Sequence, residues 1–319
     1  MDIASLAISC RHRLVQDGFA LVEGLLTAEE LEELQMEADT LYELAQEGQA
    51  TAASPADPGS GPAWSSDAVS SCIYETLPGH QLEHMPALRR DDAAYRQRRG
   101  LWPLRAAVWR LLFQSRLTEL VLALLGSGAV LFNDQYIIKP PGGAQGGSSA
   151  SAFARHRDSD WCSGTGVDYK PYISVWCALD DMSTANGCLV VWPGSHRPAA
   201  AARKEQQQDV ARWESFRRQQ DKQRLVQSST GQQQQRQQGQ QQRQPESSHE
   251  GAGCAPLALE TRAGTVIITS DRVLHASGRN CTQHFRRAWM PQFAAGELTW
   301  RRSGLPVSLA ILLRPSGIE

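Results

Sequence analysis

Residues 172–196 read YISVWCALDDMSTANGCLVVWPGSH and hold two short apolar runs, 172–179 and 188–192, around a polar turn. Both runs are rich in β-branched and aromatic residues, which favour strands, and the Asn-Gly pair between them favours a tight turn. Outward from this stretch, similar runs occur at 18–22, 129–138, 265–269 and 287–293. Several short strands separated by turn residues predict a mainly β fold, a sandwich or barrel, rather than a parallel α/β sheet.

The N-terminal part of the chain has helical patterns instead. Thr27 and Glu30 form a capping box, and apolar residues on one helical face follow it. A second helical stretch is predicted from near Pro103 to a stop at Gly126. We therefore expect residues 1–128 to form a helical layer against the β core.

Three segments have compositions that cannot bury apolar surface. Residues 48–70 are rich in Ala, Ser, Gly, Pro and Asp and are predicted to form a mobile surface loop, and residues 142–152 a second flexible loop. Residues 203–253 are rich in Gln and Arg, and 10 of the 13 positions from 232 to 244 are Gln. Because so polar a segment cannot offset its ordering entropy, we predict a disordered insertion that makes at most weak partner contacts.

Composition and charge limit the classes of partner. The chain has 319 residues, of which 41% are hydrophobic and 21% charged, enough for one large domain or two small ones. Its formal net charge of −2 gives no global attraction to nucleic acid or anionic membranes, so no nucleic-acid partner is expected. No apolar run approaches the roughly 20 residues that a membrane span needs, and the start of the chain lacks a signal-peptide pattern. We expect a soluble, intracellular protein.

The cysteines point the same way. There are 7 of them, an odd number without any C-x-x-C pair. This pattern favours reduced thiols over a disulfide framework or a structural zinc site.

His156, Asp158 and His275 are the candidate metal ligands. His156 and Asp158 are two residues apart in a segment flanked by strands, and the period of a strand would put both side chains on one face, roughly 7 Å apart at the backbone. His275 follows the run at 265–269, and a closed barrel brings distant residues together in its interior. Two imidazoles and a carboxylate suit non-haem Fe(II) and leave coordination positions open.

Arg286 is the candidate anchor for an anion. It opens the predicted strand at 287–293, and an Arg inside a barrel is costly unless it meets an anion. A guanidinium binds a carboxylate through two hydrogen bonds, which is what a dicarboxylate co-substrate would require. Strand alternation directs His284 and Arg287 away from that point, and His196, which closes a Pro-Gly-Ser-His turn, is interpreted as structural.

Three motifs together resemble one family. They are R-H-R-D at 155–158, the quoted stretch at 172–196, and HASGRNCTQHFRRA at 275–288. With these motifs the chain is similar to the phytanoyl-CoA dioxygenase family of Fe(II)/2-oxoglutarate oxygenases. The resemblance implies a double-stranded β-helix, a jelly-roll barrel of the cupin-like kind, with a core over 129–300 in a single domain over 1–319.

The resemblance also assigns roles to individual residues. It implies that His156, Asp158 and His275 bind the metal, and that Arg286 and Ser277 contact 2-oxoglutarate. Family members that halogenate replace the aspartate by a small residue. Because Asp158 is retained, hydroxylation is implied.

Four further positions are weaker candidates. Family members often carry a polar residue near the co-substrate on the strand before H-x-D, which here points to Asn133 or Gln135. Trp161 and Cys162 follow H-x-D closely enough to line a substrate pocket. The residue before the first histidine, usually aromatic in the family, is Arg155 here.

The implied reaction uses Fe(II), 2-oxoglutarate and O₂, with ascorbate as the reductant in vitro. It hydroxylates an aliphatic C–H bond of a small or lipid-like substrate, with an acyl-CoA among the classes known in the family, and releases succinate and CO₂. Arg155 and Arg157 are candidates to face a CoA group. We expect a cytoplasmic enzyme. The resemblance also implies a peroxisomal location as an alternative, which no S-K-L ending supports here.

Two alternatives remain open from the sequence. One is a cupin-like metalloenzyme that needs no 2-oxoglutarate, for which a third nitrogen ligand and no buried Arg would be expected. The other is a catalytically inactive jelly-roll protein with a binding or regulatory role that uses the Gln-rich insertion.

Overall fold

The structure is a computed structural model, and it describes residues 2–46, 72–76, 86–101, 108–142, 151–197 and 255–314. The chain divides into two compact units, one of Met1–His196 with Leu257–Glu319 and one of Arg197–Pro256. The predicted loop at 48–70, nearly all of the predicted loop at 142–152 and the predicted insertion at 203–253 lie outside the described residues. All of the sheets and helices below belong to the first unit.

Five α-helices are found in the described part of the chain. They are α1 (Ile3–Gln16), α2 (Ala28–Gln46), α3 (Asp92–Leu101), α4 (Val108–Phe113) and α5 (Arg116–Leu125). The predicted capping box begins α2, since the Glu30 amide donates to Thr27 Oγ1 over 3.2 Å and the Thr27 amide to Glu30 Oε2 over 2.8 Å. Short 3₁₀ helices span Pro86–Arg89, Asp158–Cys162 and Thr184–Asn186.

The predicted second helical stretch up to Gly126 consists of two helices, α4 and α5. Ser115 between them is extended, with φ −131° and ψ 171°, and its hydroxyl accepts the amides of Leu117 and Thr118. A serine hydroxyl that competes for backbone amides favours a new helix start over a continuous helix. The predicted stop was correct, because Gly126 ends α5 with φ 92°. Pro103 lies outside the described residues.

Thirteen strands occupy the described residues. They are β1 (Phe19–Val22), β2 (Ile73–Glu75), β3 (Val130–Lys139), β4 (Phe153–His156), β5 (Val167–Asp168), β6 (Tyr172–Ala178), β7 (Leu189–Val191), β8 (Leu257–Leu259), β9 (Val266–Ser270), β10 (His275–Ser277), β11 (Arg286–Ala294), β12 (Thr299–Trp300) and β13 (Ile311–Leu312). Each apolar run singled out in the sequence forms one of them. Between β6 and β7, Gly187 has φ 79°, and a Cβ there would lie 2.3 Å from the carbonyl oxygen of Gly278.

Two antiparallel sheets face each other. The large sheet has the order β1-β9-β6-β11-β3-β13, with β2 also paired to β3, and the small sheet has the order β4-β10-β7-β8. Ile137, Trp176 and Ala288 of the large sheet pack with Leu189 and Val191 of the small one in a single buried cluster. This interior, closed by two sheets of non-consecutive strands, is the predicted jelly-roll barrel.

The helices cover the other face of the large sheet. Alternate strand residues, among them Val175, Cys177 and Ile268, turn outward and pack with Leu34 and Leu112 of the helical layer. Strand alternation therefore sorts each strand into barrel-facing and helix-facing positions. The fold class is confirmed as mainly β with a helical layer.

Two further expectations concern the surroundings of the protein. No helix of the described residues is long and apolar enough to cross a membrane. The six cysteines in the described part are all free thiols.

Candidate metal centre

The two histidines meet where β4 pairs with β10. His156 lies directly opposite His275, and their ring centroids are 4.3 Å apart. The next pair is Phe153 with Ser277. Between the two pairs, β4 advances by three positions while β10 advances by two. This β-bulge lets both Phe153 and His156 face the barrel interior despite their odd spacing.

Asp158 joins the histidines from a turn, not from a strand. β4 ends at His156, and Asp158 begins the 3₁₀ helix Asp158–Cys162 after the extended Arg157. Asp158 Oδ1 lies 3.3 Å from His275 Nε2 and 3.7 Å from His156 Nε2. The three side chains therefore lie together as predicted. The predicted reason, that His156 and Asp158 share one face of a strand, was wrong, because β4 ends at His156 and a turn places the Asp158 carboxylate beside the histidines.

The histidine tautomers fit a metal ion. His156 Nδ1 lies 2.7 Å from the Ala154 carbonyl oxygen, and His275 Nδ1 lies 3.0 Å from that of Val273. A carbonyl only accepts hydrogen bonds, so each Nδ1 carries a proton and each Nε2 is the atom left to face Asp158. One atom from each of the three side chains then lies within 4.8 Å of the others. Three acceptors that converge in a buried site require a proton or a cation between them.

The pKa shifts indicate which of the three side chains holds a proton when no metal is bound. Burial lowers the pKa of His156 to about 4, and His275 beside it adds to the effect. Burial also acts to lower the pKa of His275, but the Asp158 carboxylate outweighs it and the net pKa is raised. The pKa of Asp158 is lowered, since the charge and hydrogen bond of His275 exceed the effect of burial. Without a metal the shared proton therefore belongs to His275, where a cation would replace it.

Arg286 is the most conspicuous buried charge near this centre. Its side chain is 0% exposed, and none of its three guanidinium nitrogens has a hydrogen-bond partner among the described residues. Its guanidinium lies 5.2 Å from the ring centroid of Trp176, and burial lowers its pKa to about 10. A buried cation with unused donors fits an anionic ligand.

Lys139 is a second buried cation that the sequence interpretation missed. It is the last residue of β3 and lies opposite Arg286 in the pairing with β11. Its Nζ donates to Ser277 Oγ over 2.7 Å and to the Gly278 carbonyl over 2.5 Å. Burial, followed by the charge of Arg286, lowers its pKa well below the ordinary value. No local signal marks Lys139 in the sequence, because a lysine at the end of a strand is typical of a solvated position.

The cation pair lies next to the histidine and carboxylate group along β10. Ser277, which Lys139 contacts, is two residues after His275 and is 2% exposed. Residues two apart in a strand share a face at roughly 7 Å. The candidate anion site and the candidate metal site are therefore adjacent parts of one interior.

Asn133 and Gln135 lie on the barrel-facing side of β3. Asn133 Nδ2 donates to Gln135 Oε1 over 3.0 Å and to Gln292 Oε1 over 3.4 Å. Gln292 Nε2 donates to Ser174 Oγ over 2.9 Å, and Ser174 donates to Asp158 Oδ2 over 2.5 Å. The two predicted residues are thus connected to the carboxylate of the candidate centre rather than to the Arg286 end.

Trp161 and Cys162 follow Asp158 within the same 3₁₀ helix. The Trp161 ring stacks on Phe132 at 5.9 Å, and its Nε1 donates to the Tyr172 hydroxyl over 3.1 Å. Tyr172 in turn donates to the Asp158 carbonyl over 2.5 Å. Cys162 is half-buried, and burial raises its pKa to about 12, so it carries no thiolate near neutral pH.

The two arginines that flank His156 are engaged with the protein itself. Arg155 places its guanidinium 5.5 Å from the ring centroid of Trp192. Arg157 donates to the carbonyl of Arg272 over 3.0 Å and to that of Ser195 over 3.4 Å. These contacts use both side chains to fix the loops at the strand ends.

The remaining polar residues singled out in the sequence lie away from the centre. His196 Nε2 is 3.1 Å from the Val15 carbonyl oxygen, which agrees with a structural role. Arg287 binds Asp180 through Nη2 at 2.7 Å on the helix-facing side, and His284 is exposed.

The architecture is that of the cupin-like 2-oxoglutarate oxygenases, a class of jelly-roll enzymes. The family model for phytanoyl-CoA dioxygenase matches residues 14–288. This chain therefore belongs to the phytanoyl-CoA dioxygenase family, and it is a non-haem iron enzyme that uses 2-oxoglutarate. No curated protein sequence matches it.

Solved structures of low sequence identity share the fold. SnoN, a non-haem α-ketoglutarate-dependent epimerase from nogalamycin biosynthesis solved with Fe³⁺, α-ketoglutarate and nogalamycin RO, is 18% identical, covering 98% of this chain and 94% of its own, with a TM-score of 0.54. EctD from S. alaskensis, solved with 2-oxoglutarate and 5-hydroxyectoine, is 16% identical over 96% of this chain and 87% of its own, with a TM-score of 0.52. AviO1 from Streptomyces viridochromogenes Tue57 is 17% identical over 90% of this chain and 94% of its own, with a TM-score of 0.51.

Proposed function

We propose that this enzyme hydroxylates an aliphatic C–H bond of a small-molecule substrate and releases succinate and CO₂, with iron held by His156, Asp158 and His275. The observation that carries the proposal is the convergence of two Nε2 lone pairs and a carboxylate oxygen within 4.8 Å. This ligand set leaves coordination positions for a co-substrate and O₂. When bound, the iron supplies the oxidising power, and the chain supplies orientation and the exclusion of water.

Arg286 and Lys139 hold the distal carboxylate of 2-oxoglutarate in this proposal. Both are fully buried and side by side, and Arg286 has unused donors on three nitrogens. Ser277 lies between them and the candidate metal ligands and offers its hydroxyl to the same carboxylate. Asn133 and Gln135, further along β3, are assigned to the end of the co-substrate nearest the metal.

The proposed substrate is a small molecule rather than an acyl-CoA. A CoA group would want free basic residues at the pocket rim, whereas the Arg157 guanidinium donates to two backbone carbonyls and the Arg155 guanidinium lies over Trp192. SnoN and EctD were solved with small molecules, nogalamycin RO and 5-hydroxyectoine, which agrees with this class. Trp161 and Cys162 remain the proposed lining of the substrate pocket.

The two alternatives are set aside. Arg286 is buried, whereas a cupin-like enzyme without a co-substrate was expected to lack a buried Arg. A third nitrogen ligand is also missing from the only group of metal-binding side chains found among the described residues. In an inactive protein the buried guanidinium of Arg286, which has no hydrogen-bond partner among the described residues, would cost stability with no ligand to offset it.

Succinate formation across a substrate library tests the reaction. The protein loaded with Fe(II), with ascorbate present, should convert 2-oxoglutarate to succinate when a suitable small molecule from the library is supplied. The variant Asp158→Asn should lose this conversion, because the amide is a neutral and weaker metal ligand. Turnover by Asp158→Asn at the wild-type rate would contradict the metal assignment.

The co-substrate anchor is tested by binding rather than by turnover. Arg286→Ala and Lys139→Met should each weaken 2-oxoglutarate binding about ten- to hundred-fold, the effect of losing a hydrogen bond between charged groups. Binding of 2-oxopentanoate, which lacks the distal carboxylate, should be equal in the variants and the wild type. Loss of iron from either variant would show a folding role instead.

A further inference from the structure

A polar rung crosses the barrel beside the candidate metal centre. Ser174 of β6 lies directly opposite Gln292 of β11, and Gln292 lies directly opposite Asn133 of β3. Their side chains are hydrogen bonded in that order, since Gln292 Nε2 donates to Ser174 Oγ over 2.9 Å and Asn133 Nδ2 donates to Gln292 Oε1 over 3.4 Å. The rung ends on the metal-centre side at Asp158, whose Oδ2 accepts from Ser174 over 2.5 Å.

Every hydrogen bond in this rung has a direction that the carboxylate imposes. An ionised carboxylate accepts only, so the Ser174 hydroxyl must donate to Asp158 and its oxygen must accept from the next residue. Gln292 therefore presents its NH₂ group to Ser174 and its carbonyl to Asn133, which donates with its own NH₂ group. No rotation of a single side chain leaves the rung satisfied, so the arrangement is locked from Asp158 outward.

Fold stability alone does not account for the rung. Ser174 is 1% exposed and Gln292 is 7% exposed, while the next barrel-facing residues on the same strands include Trp176 and Ala288 in an apolar cluster. Replacing a satisfied buried polar pair by apolar groups of the same shape is often neutral for stability. The fold therefore does not require these polar groups to be buried, and the rung ends at Asp158, a candidate metal ligand.

We infer that Ser174 and Gln292 are positioning residues for Asp158, an inference that rests on the proposed metal role of that carboxylate. Ser174 engages Oδ2, which leaves Oδ1 as the oxygen that faces both histidines, at 3.3 and 3.7 Å. Gln292 fixes the rotamer of the Ser174 hydroxyl by donating to it. The pair thereby restricts Asp158 to one metal-facing oxygen and prevents the carboxylate from turning.

A matched pair of variants isolates the hydroxyl. Threonine and valine have nearly the same shape, so Ser174→Thr and Ser174→Val differ mainly in the ability to donate to Asp158. Ser174→Thr should bind Mn²⁺ or Fe²⁺ close to the wild-type affinity, whereas Ser174→Val should bind about ten- to hundred-fold more weakly, the range found when a group behind a metal ligand is lost. The visible absorption of the Co²⁺-substituted protein should change in Ser174→Val alone.

A metal-free control separates positioning from folding. Without metal, Ser174→Val should unfold at a somewhat lower temperature than Ser174→Thr, because valine cannot hydrogen bond to Gln292 and Asp158, but both variants should remain folded at the temperature of the metal titrations. Equal metal affinities for the two variants would overturn the inference. A lower midpoint for Ser174→Val with its metal affinity unchanged would also overturn it and assign the serine a structural role.

A double-mutant cycle tests the part of Gln292. Gln292→Leu should weaken metal binding less than Ser174→Val does, because the Ser174 hydroxyl still donates, and should add no further loss in the double variant. Additive losses would contradict action through Ser174. A wild-type protein that binds no metal would contradict the proposed function. Normal metal binding by the wild type, with equal affinities for Ser174→Thr and Ser174→Val, would refute only this inference.

Discussion

Asp271 is a buried carboxyl group close to the candidate centre, and its ionisation has a cost for the folded chain. Burial raises its pKa to about 6 from an ordinary value of 3.8, although Tyr169 and Arg272 act in the opposite direction. Its side chain accepts hydrogen bonds from the Tyr169 and Ser270 hydroxyls. The carboxyl is therefore easier to accommodate neutral than charged.

The sign of the resulting pH dependence follows from proton binding. Between about pH 4 and pH 6 the folded state binds more protons at Asp271 than the unfolded state, so this residue makes stability fall as the pH rises through that window. Asp271→Asn removes the effect while it keeps an acceptor oxygen for Tyr169. When the pH is raised from about 4 to about 7, the thermal unfolding midpoint of the wild type should fall relative to that of the variant. Identical pH profiles for the two proteins would contradict the assigned pKa.

The residues of the candidate centre could be predicted from the sequence to different extents. His156, Asp158, His275 and Arg286 stand out because ionisable side chains in or beside apolar runs demand a reason. The structure brings the first three together and buries the fourth, whose guanidinium has no hydrogen-bond partner among the described residues. Their roles as ligands and anchor remain a prediction that the experiments above test.

Other residues of the same interior could not be identified from the pattern. Lys139 at a strand end reads as a solvated lysine, and Ser174 and Gln292 read as ordinary polar positions in strands. Their importance depends on which strands are neighbours. The pairing of β11 with both β3 and β6 places them, and no local sequence signal encodes that pairing.

At the scale of elements, the start of α5 depends on one hydroxyl. Ser115 accepts the amides of Leu117 over 3.1 Å and Thr118 over 3.3 Å, which satisfies donors that the first helical turn leaves unpaired. Ser115→Ala should lower the free energy of unfolding by about 1 kcal/mol, and Ser115→Asp, which keeps an acceptor at the cap, should restore most of it. Chemical denaturation of the three proteins measures the difference. A Ser115→Ala protein as stable as the wild type would show that α5 does not depend on its cap.

The positions of the strands were easier to predict than the turns between them, which include the turn that carries Asp158. Short runs of β-branched and aromatic residues identified β3, β6, β7, β9 and β11, because a strand buried on both faces has little polar alternation to obscure it. Where a helix or strand ends is decided by one or two polar groups. Asp160 accepts the Arg157 amide over 2.9 Å and so begins the turn that carries Asp158, and Ser115 divides the helical stretch in the same way.

At the scale of the whole molecule, the Gln-rich segment is predicted to be dispensable for catalysis. Every residue assigned a role above belongs to the unit formed by Met1–His196 with Leu257–Glu319. Deletion of residues 203–253 should therefore leave metal binding, 2-oxoglutarate binding and succinate formation near wild-type values. Loss of metal binding in the deletion variant, with normal unfolding behaviour, would show that the segment takes part in the site.

The class of fold was predictable while the order of its strands was not. Composition and short apolar runs predict a sandwich or barrel with helices on one side, and the structure has both. The order β1-β9-β6-β11-β3-β13 joins strands that are distant in sequence, and such pairings arise from the closure of two sheets over one core. Only the resemblance of whole motifs to a known family predicted the jelly roll.

The central claim is that His156, Asp158 and His275 bind iron while Arg286 binds the far end of 2-oxoglutarate. Anaerobic titration of the Fe(II) protein with 2-oxoglutarate tests it most directly, because chelation of Fe(II) by a 2-oxo acid produces a charge-transfer absorption in the visible range. The account predicts this absorption in the wild type, none in His275→Ala, and in Arg286→Ala the same absorption at about ten- to hundred-fold higher 2-oxoglutarate concentration. An unchanged absorption and unchanged half-saturation in both variants would contradict it.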